Sequence, residues 1–352
     1  MSKQIELGLD TFGDVTLGRD GELKHEAQVL RDLAEQGVLA DETGVDFLGL
    51  GEHHRQDFAI SSPEILLSFI AARTTRLRLG TSVTVLSSDD PVRVFERFST
   101  LNALSNGRAE ITLGRGSFTE SFPLFGFDLN QYEVLFEEKL DLLSNLLENE
   151  VVNWEGRIRP PLKDQRVYPR LEEGGLVAWI GVGGTPESVV RAVTYNMRMM
   201  LAIIGGNPAR FKPFVDLYHQ ACAQMEHDVK PLGVHSPGHV AATDEEAVEQ
   251  LWPSFRVHYD QIGRERGWQP MTKDAFLSEA TRGSVYVGSP ETVATRIANT
   301  VKTLGLSRFD LKYGHIIQHQ NELGNHDFVD FHNRNRNHLC HRSELPELRV
   351  AY

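Results

Sequence analysis

Residues 104–118, LSNGRAEITLGRGSF, decide the fold. A helix ends at Leu104-Ser105 and the chain turns at Asn106-Gly107. Ala109, Ile111 and Leu113 then alternate with Glu110 and Thr112, the period-two pattern of a short strand over 108–113. The strand runs straight into Gly114-Arg115-Gly116. Glycines on both sides of one arginine let the backbone come close to a ligand and leave the guanidinium free to grip an anion through two parallel bonds. Taken alone, Gly-Arg-Gly equally describes a turn with a solvated arginine, so the flanking chain has to decide.

Toward the N-terminus the same beat recurs. The spacing predicts strands at 5–10, 45–51 and 77–86, with helices over 25–42, from Pro63 onward, and over 92–105 behind Asp90-Pro91. Toward the C-terminus an amphipathic helix covers 131–149, followed by an aperiodic loop excursion over 150–175 broken by Pro160, Pro161 and Pro169. Strands are predicted at 177–182, 199–204, 232–242 and 308–314, and helices at 208–225 and 290–304. Thr243 with Glu246 forms a capping box that starts a further helix. A second irregular excursion spans 252–282, and a polar extension follows residue 317.

Eight short strands, mostly followed by helices, specify an α/β protein with a parallel sheet buried on both faces. A doubly wound open sheet shares that alternation. The distribution of chemistry-prone residues favours a single-domain TIM (β/α)8 barrel with insertions: Thr11-Phe12-Gly13, His53-His54, Thr81-Ser82, Gly114-Arg115-Gly116, Gly183-Gly184-Thr185 and Gly205-Gly206 all follow strand C-termini. In a barrel those ends converge on one face, whereas in an open sheet only the loops at the switch point meet.

Composition narrows the class. The chain has 352 residues, 40% hydrophobic and 24% charged, with a net charge of −13 and no basic stripe, which argues against nucleic acid as a partner. Two cysteines, Cys222 and Cys340, make neither a disulfide framework nor a zinc site. The start MSKQIELGLD carries no signal-like apolar run and no segment reaches membrane-spanning length, so the expected setting is cytoplasmic, with no membrane partner. No dinucleotide fingerprint of the GxGxxG type accompanies the strands.

Gly51-Glu52-His53-His54, Gly80-Thr81-Ser82-Val83, Asp90-Pro91-Val92-Arg93, Leu104-Ser105-Asn106-Gly107-Arg108 leading into Gly114-Arg115-Gly116, and Gly183-Gly184-Thr185-Pro186-Glu187-Ser188 occur in this order. Together they resemble the luciferase-like monooxygenases, flavin-dependent oxidoreductases related to bacterial luciferase, from residue 5 to about residue 314. The resemblance implies a TIM barrel with an insertion before strand eight and a homodimer. It also implies FMN at the strand C-termini, or the deazaflavin F420 in a sister branch. Arg115 with Gly183, Gly184 and Thr185 would hold the phosphate; glycine N–H groups at a helix start suit a dianion on physical grounds as well. Thr81, Ser82 and Val83 match the place where the family carries a non-prolyl cis peptide beside the flavin ring; the plain alternative is a buried strand with internally paired hydroxyls. His53 matches the family's acid–base histidine, whose near-neutral imidazole suits proton shuttling, and either His53 or His54 is the packed member of the pair. A metal site at Glu52-His53-His54 fails because adjacent strand residues face opposite ways. Phe12, Phe118 and Phe122 are candidates to wall an apolar substrate pocket.

One departure matters: Gly114 stands where the best-known luciferases carry a reactive cysteine, which puts light emission in doubt. The expected function is a monooxygenase using reduced FMN, O2 and a small, apolar organic substrate, with the flavin reduced by a separate reductase. An F420-dependent hydride-transfer enzyme and a non-catalytic flavin-binding subunit are the alternatives.

Overall fold

The computed structural model describes residues 5–18, 21–116 and 118–314. Eight parallel strands close into a barrel: β1 (Glu6–Thr11), β2 (Phe47–Leu50), β3 (Arg78–Thr81), β4 (Ala109–Gly114), β5 (Val177–Val182), β6 (Arg198–Ala202), β7 (Leu232–Val240) and β8 (Arg308–Lys312). Each pairs with its neighbour in chain order, and β1 pairs with β8 to complete the ring. Helices α1 (Glu26–Thr43), α2 (Pro63–Ala71), α3 (Pro91–Leu104), α4 (Tyr132–Glu148), α5 (Pro186–Thr194), α6 (Lys212–Gln224), α7 (Asp244–Arg266), α8 (Lys273–Arg282) and α9 (Pro290–Leu304) pack outside or between. The expected barrel is observed.

Local chemistry sets the helix limits. Asp90 caps α3, its Oδ1 accepting from the N–H groups of Val92 at 2.9 Å and Arg93 at 3.3 Å, with Pro91 at the first turn. The Thr243 hydroxyl accepts from Glu246 N–H at 3.1 Å and starts α7 as the capping box predicts. Gly44 ends α1 at φ +91°, a conformation glycine adopts without a Cβ penalty.

Outward-facing leucines, isoleucines and valines of the strands bury against the helices in one continuous core. The inside of the barrel is different. TIM barrels are usually filled with branched aliphatic layers. Here Arg308 is fully buried, its guanidinium 3.5 Å from the Phe47 ring centre, its Nη1 donating to Glu110 Oε2 at 2.6 Å and its Nε to Asp310 Oδ1 at 2.9 Å. Trp179 Nε1–H donates to the same Glu110 oxygen at 2.8 Å. Glycines at facing positions make the room: a Cβ on Gly8 would sit 2.0 Å from Asp310 Oδ1, and one on Gly80 2.8 Å from the Phe47 ring.

Several expected elements change. The stretch expected as one strand over 77–86 is β3, then the non-prolyl cis peptide that the resemblance implies between Ser82 and Val83, a two-residue strand Thr84–Val85 and a 3-10 turn Leu86–Ser88. The loop excursion at 150–175 holds an antiparallel hairpin, Val152–Trp154 with Leu162–Gln165. The irregular excursion at 252–282 is corrected to helix: α7 runs through Pro253 to Arg266, and α8 follows. Their apolar residues, Ala247, Leu251, Phe276 and Ala280, bury in a small separate cluster with Val285 and Val287. That second core excludes the barrel strands, so barrel-type periodicity gives no sign of it. The strand Tyr286–Gly288, which pairs with the far end of β7, was not expected. The helix expected over 208–225 opens as a 3-10 turn, Pro208–Phe211, before α6. The expected polar extension and Cys340 lie outside the described residues; Cys222 is buried and unpaired.

Candidate functional site at the barrel mouth

The turns that follow the strands meet at their C-terminal ends, whereas the Asn106-Gly107 turn precedes β4 at the opposite end of the barrel. After β2 the chain is pinned on both sides: Glu52 N–H donates to Val83 O at 3.2 Å and His53 N–H to Ile60 O at 2.9 Å. The Glu52 carboxylate is buried, with Oε1 2.9 Å from His54 Nε2 and Oε2 accepting from Val85 N–H at 2.9 Å. His54 is therefore the histidine held by a carboxylate, and the expectation that only one of the pair is packed is corrected, since His53 is packed too. The His53 ring instead packs among Phe12 and Phe58, each with ring centres 4.5 Å away, and Phe118 at 5.2 Å. Burial pushes its pKa down to about 3; nearby Asp14 opposes this, while Lys312, Arg55 and His54 add to it. The expectation of a near-neutral imidazole at position 53 is corrected: ligand-free His53 is held uncharged by its apolar cage.

The cis step between Ser82 and Val83 sits against glycines. A Cβ on Gly114 would come within 2.5 Å of Val83 Cγ2, and one on Gly51 within 2.9 Å of Ser82 O. Gly114 is thus a packing requirement: a cysteine there would displace Val83. Thr81 is fully buried, its hydroxyl 2.9 Å from that of Thr84 and accepting from Thr112 N–H at 3.3 Å. Its side chain braces the bend, leaving Ser82 and Val83, both partly exposed, to face the mouth.

Arg115 leaves the end of β4 beside the end of β5, the neighbouring strand. Its guanidinium pairs with Glu133 and lies 5.3 Å from the Tyr132 ring centre, and Tyr132 in turn donates its O–H to Gly116 O at 2.8 Å. Beyond β5, Gly183 has open space where a Cβ would stand, and Gly184 takes φ +113°. Thr185 is the N-cap of α5, its hydroxyl 2.8 Å from that of Ser188, with Pro186 at the first turn. Pro186 has no N–H and Ser188 N–H donates to Thr185 O at 3.2 Å, so the N–H groups that would face an anion at this helix start are those of Gly184, Thr185 and Glu187. The similar turn after β6 is filled: Gly206 N–H donates to both Glu279 oxygens, at 3.1 and 3.0 Å. Of two Gly-Gly turns on this face, only the one beside Arg115 is open.

Helix α7 overhangs the mouth. Arg55 donates to Asp57 at 2.8 Å, to Glu120 at 2.6 Å and to Glu265 at 2.7 Å, while stacked 4.4 Å from the Phe118 ring centre. Gln261 adds a bond to Asp57 at 2.8 Å, and His258 meets Phe58 with ring centres 5.8 Å apart. Phe12 and Phe118 thus join the histidine cluster, whereas Phe122 is fully buried and stacked with Tyr132, 5.5 Å between ring centres.

Sequence reading passed over Asp10, His235, Lys312 and Asp14. His235 Nδ1 lies 2.6 Å from Asp10 Oδ2, and Lys312 Nζ donates to Asp14 at 2.9 and 3.0 Å beneath the Phe12 ring. The available signal was polar residues at inward-facing positions near strand ends, Asp10 in β1 and Lys312 in β8.

Residues 11–308 match the family described as luciferase-like monooxygenase. The alkanal monooxygenase alpha chain of Photorhabdus luminescens is 23% identical over 70% of this chain and 68% of its own. Among solved structures, the oxygenating constituent of 3,6-diketocamphane monooxygenase from a Pseudomonas putida plasmid, in complex with FMN, superposes with a TM-score of 0.73 at 18% identity, covering 93% of this chain and 96% of that one. An F420-dependent secondary alcohol dehydrogenase, in complex with an F420-acetone adduct, gives a TM-score of 0.73 at 15% identity, covering 93% and 98%.

Proposed function

Because this chain belongs to the luciferase-like monooxygenase family, we propose that it is a flavin-dependent monooxygenase that takes reduced FMN, O2 and a small apolar substrate at the barrel mouth. The observation that carries the cofactor reading is the open Gly183-Gly184-Thr185 helix start beside Arg115, next to a β6 turn already filled by Glu279. The donor set fits a phosphate dianion: backbone N–H groups, a helix N-terminus and one guanidinium. Arg115 would leave Glu133, whose side chain is 61% exposed, to bind the phosphate. Ser82 and Val83 would lie beside the ring, in the space that the surrounding glycines permit.

Bound reduced flavin supplies the electrons that activate O2. The chain's contribution is exclusion and positioning. Phe12, Phe58 and Phe118 keep water from the reacting centre, and the Arg55 contacts hold α7 across it. Uncharged His53 offers a ring nitrogen for a hydrogen bond and withholds positive charge from an apolar substrate.

Family resemblance supports a separate flavin reductase and a homodimer. Ile65 and Phe69, exposed on one face of α2, also favour self-association; light scattering tests it. Among the described residues no helix is long and apolar enough to cross a membrane.

Oxygen uptake with chemically reduced FMN and a panel of aldehydes tests the main reading, with oxygenated product expected. Release of hydrogen peroxide with no product from any substrate would favour a flavin-binding subunit instead. The equal TM-scores of the FMN and F420 neighbours make hydride transfer the second reading. An absorption spectrum of the cofactor-loaded protein separates the two.

A further inference from the structure

We propose that His235 is a proton-transfer residue of this chamber, fixed by Asp10 so that its Nε2 meets the bound substrate. The reaction it would serve rests on the monooxygenase reading above, but the geometry stands apart from it. His235 Nδ1 lies 2.6 Å from Asp10 Oδ2, and Asp10 is completely buried at the end of β1. The carboxylate has little freedom to turn, because Gly49 approaches so closely that a Cβ there would stand 1.9 Å from Oδ1. Phe12 stacks nearly parallel to the imidazole, 6.1 Å between ring centres at 15°.

Nε2 has no hydrogen-bond partner among the described residues, and it is not among the side-chain atoms sealed from solvent without one. The side chain keeps 11% of its surface exposed. A carboxylate on Nδ1 selects the tautomer with the proton on that nitrogen and leaves Nε2 as a bare acceptor. This is the orienter-and-base arrangement from which enzymes build proton carriers. His53, by contrast, has three phenyl rings around it and no side-chain hydrogen bond among the described residues. Both histidines pack against Phe12, His53 edge-on with ring centres 4.5 Å apart and His235 nearly parallel at 6.1 Å, but only the His235 ring is oriented by a carboxylate.

The step is a single proton transfer. In a substrate that carries one hydroxyl group on an otherwise apolar frame, the O–H bond breaks with its electron pair left on oxygen, an N–H bond forms at Nε2, and the imidazolium is stabilised by the Asp10 carboxylate. Among the described residues, the charged and titratable groups near His235 are Asp10 on β1, Asp310 and Lys312 on β8, Asp14 beyond β1, and His53, which also packs against Phe12. The second Asp10 oxygen, Oδ1, is buried without a partner, and the nearby Asp310 carboxyl is pushed up to about 8 by burial, with Arg308 opposing.

Nitrogen-15 NMR of histidine-labelled, ligand-free protein tests the geometry without turnover. His235 should show a protonated, strongly downfield Nδ1–H and an unprotonated Nε2 at pH 7.5, and the downfield proton should vanish in Asp10→Asn. Diethyl pyrocarbonate should modify His235 faster than His54. Under turnover, His235→Gln should lower kcat at least tenfold with substrate KM and FMN affinity within twofold, and should flatten the acidic limb of the kcat–pH profile. Asp10→Asn should move that limb rather than remove it. A proton on Nε2 in the wild type, or a His235→Gln enzyme with unchanged kcat and pH profile, overturns the proposal. If the wild type oxygenates nothing, the monooxygenase reading fails, while the tautomer and modification results still decide whether His235 presents an accessible base.

Discussion

At the scale of single residues, His53 shows how a side chain's surroundings redefine it. Its sequence position suggests a titrating imidazole, but three aromatic rings make charging it costly. Its folded pKa, about 3, lies below the ordinary value of 6.5. The unfolded chain therefore takes up the proton first as pH falls, so the stability that neutral His53 contributes is complete above about pH 6.5 and is lost toward pH 3. Urea unfolding at pH 7.5 and pH 5 should show a larger loss for the wild type than for His53→Asn; equal losses would mean that the cage does not hold in solution. Arg115 makes a different prediction. Arg115→Ala should weaken FMN binding more than tenfold, since charge-assisted bonds contribute about 1.5–3 kcal/mol, whereas Glu133→Gln should tighten it by removing the competing carboxylate. Fluorescence titration of the flavin reads both, and an unchanged affinity in Arg115→Ala would take that residue out of the phosphate seat.

At the scale of elements, legibility followed what each element packs against. The barrel helices bury one stripe on the strands, so α9 is observed over the residues that its periodicity predicts. Helix α7 divides its loyalties: Ala247 and Leu251 enter the small second core, while Gly263 is the buried residue of its distal half, which reaches over the mouth. No single periodic stripe can describe such a helix, and Pro253 reinforces the impression of a break. Strand three was misread for another reason: a bend at Ser82-Val83 leaves no trace in hydrophobic patterning. The overhang yields a test. Glu265 is 46% exposed, so Glu265→Gln should cost the fold less than about 1 kcal/mol. It should nevertheless speed amide exchange across residues 256–266, because Arg55 loses its bond to α7. Exchange mass spectrometry checks this; an unaltered rate would show that Gln261 and the ring contacts suffice.

At the scale of the molecule, the barrel was legible because its outward faces are apolar and its turns carry the chemistry. The inward faces were harder. The alternation of Glu110 and Thr112 against Ala109, Ile111 and Leu113 reads locally as polar-out, yet in a closed barrel the polar row is the inside. There Glu110 meets Arg308, Arg78 and Trp179, partners far apart in sequence. Arg308→Met should destabilise by about 3–5 kcal/mol, because it removes the guanidinium that Asp310 and Glu110 share in the barrel interior and leaves Asp310 without its partner. Chemical denaturation measures this, and a loss below about 1 kcal/mol would mean that water reaches the barrel axis. The same view of the whole molecule gives Glu279 a meaning beyond the hydrogen bonds it accepts from Gly206 and Ser284 N–H. A face with two Gly-Gly turns offers a dianion two berths one strand apart, and only one can align a cofactor with the rest of the mouth. If the proposed phosphate seat holds, the Glu279 carboxylate in the second berth would repel a misplaced phosphate. On that proposal, placement on this face would rest on an acid in α8, a helix outside the barrel wall that would not touch the ligand it directs.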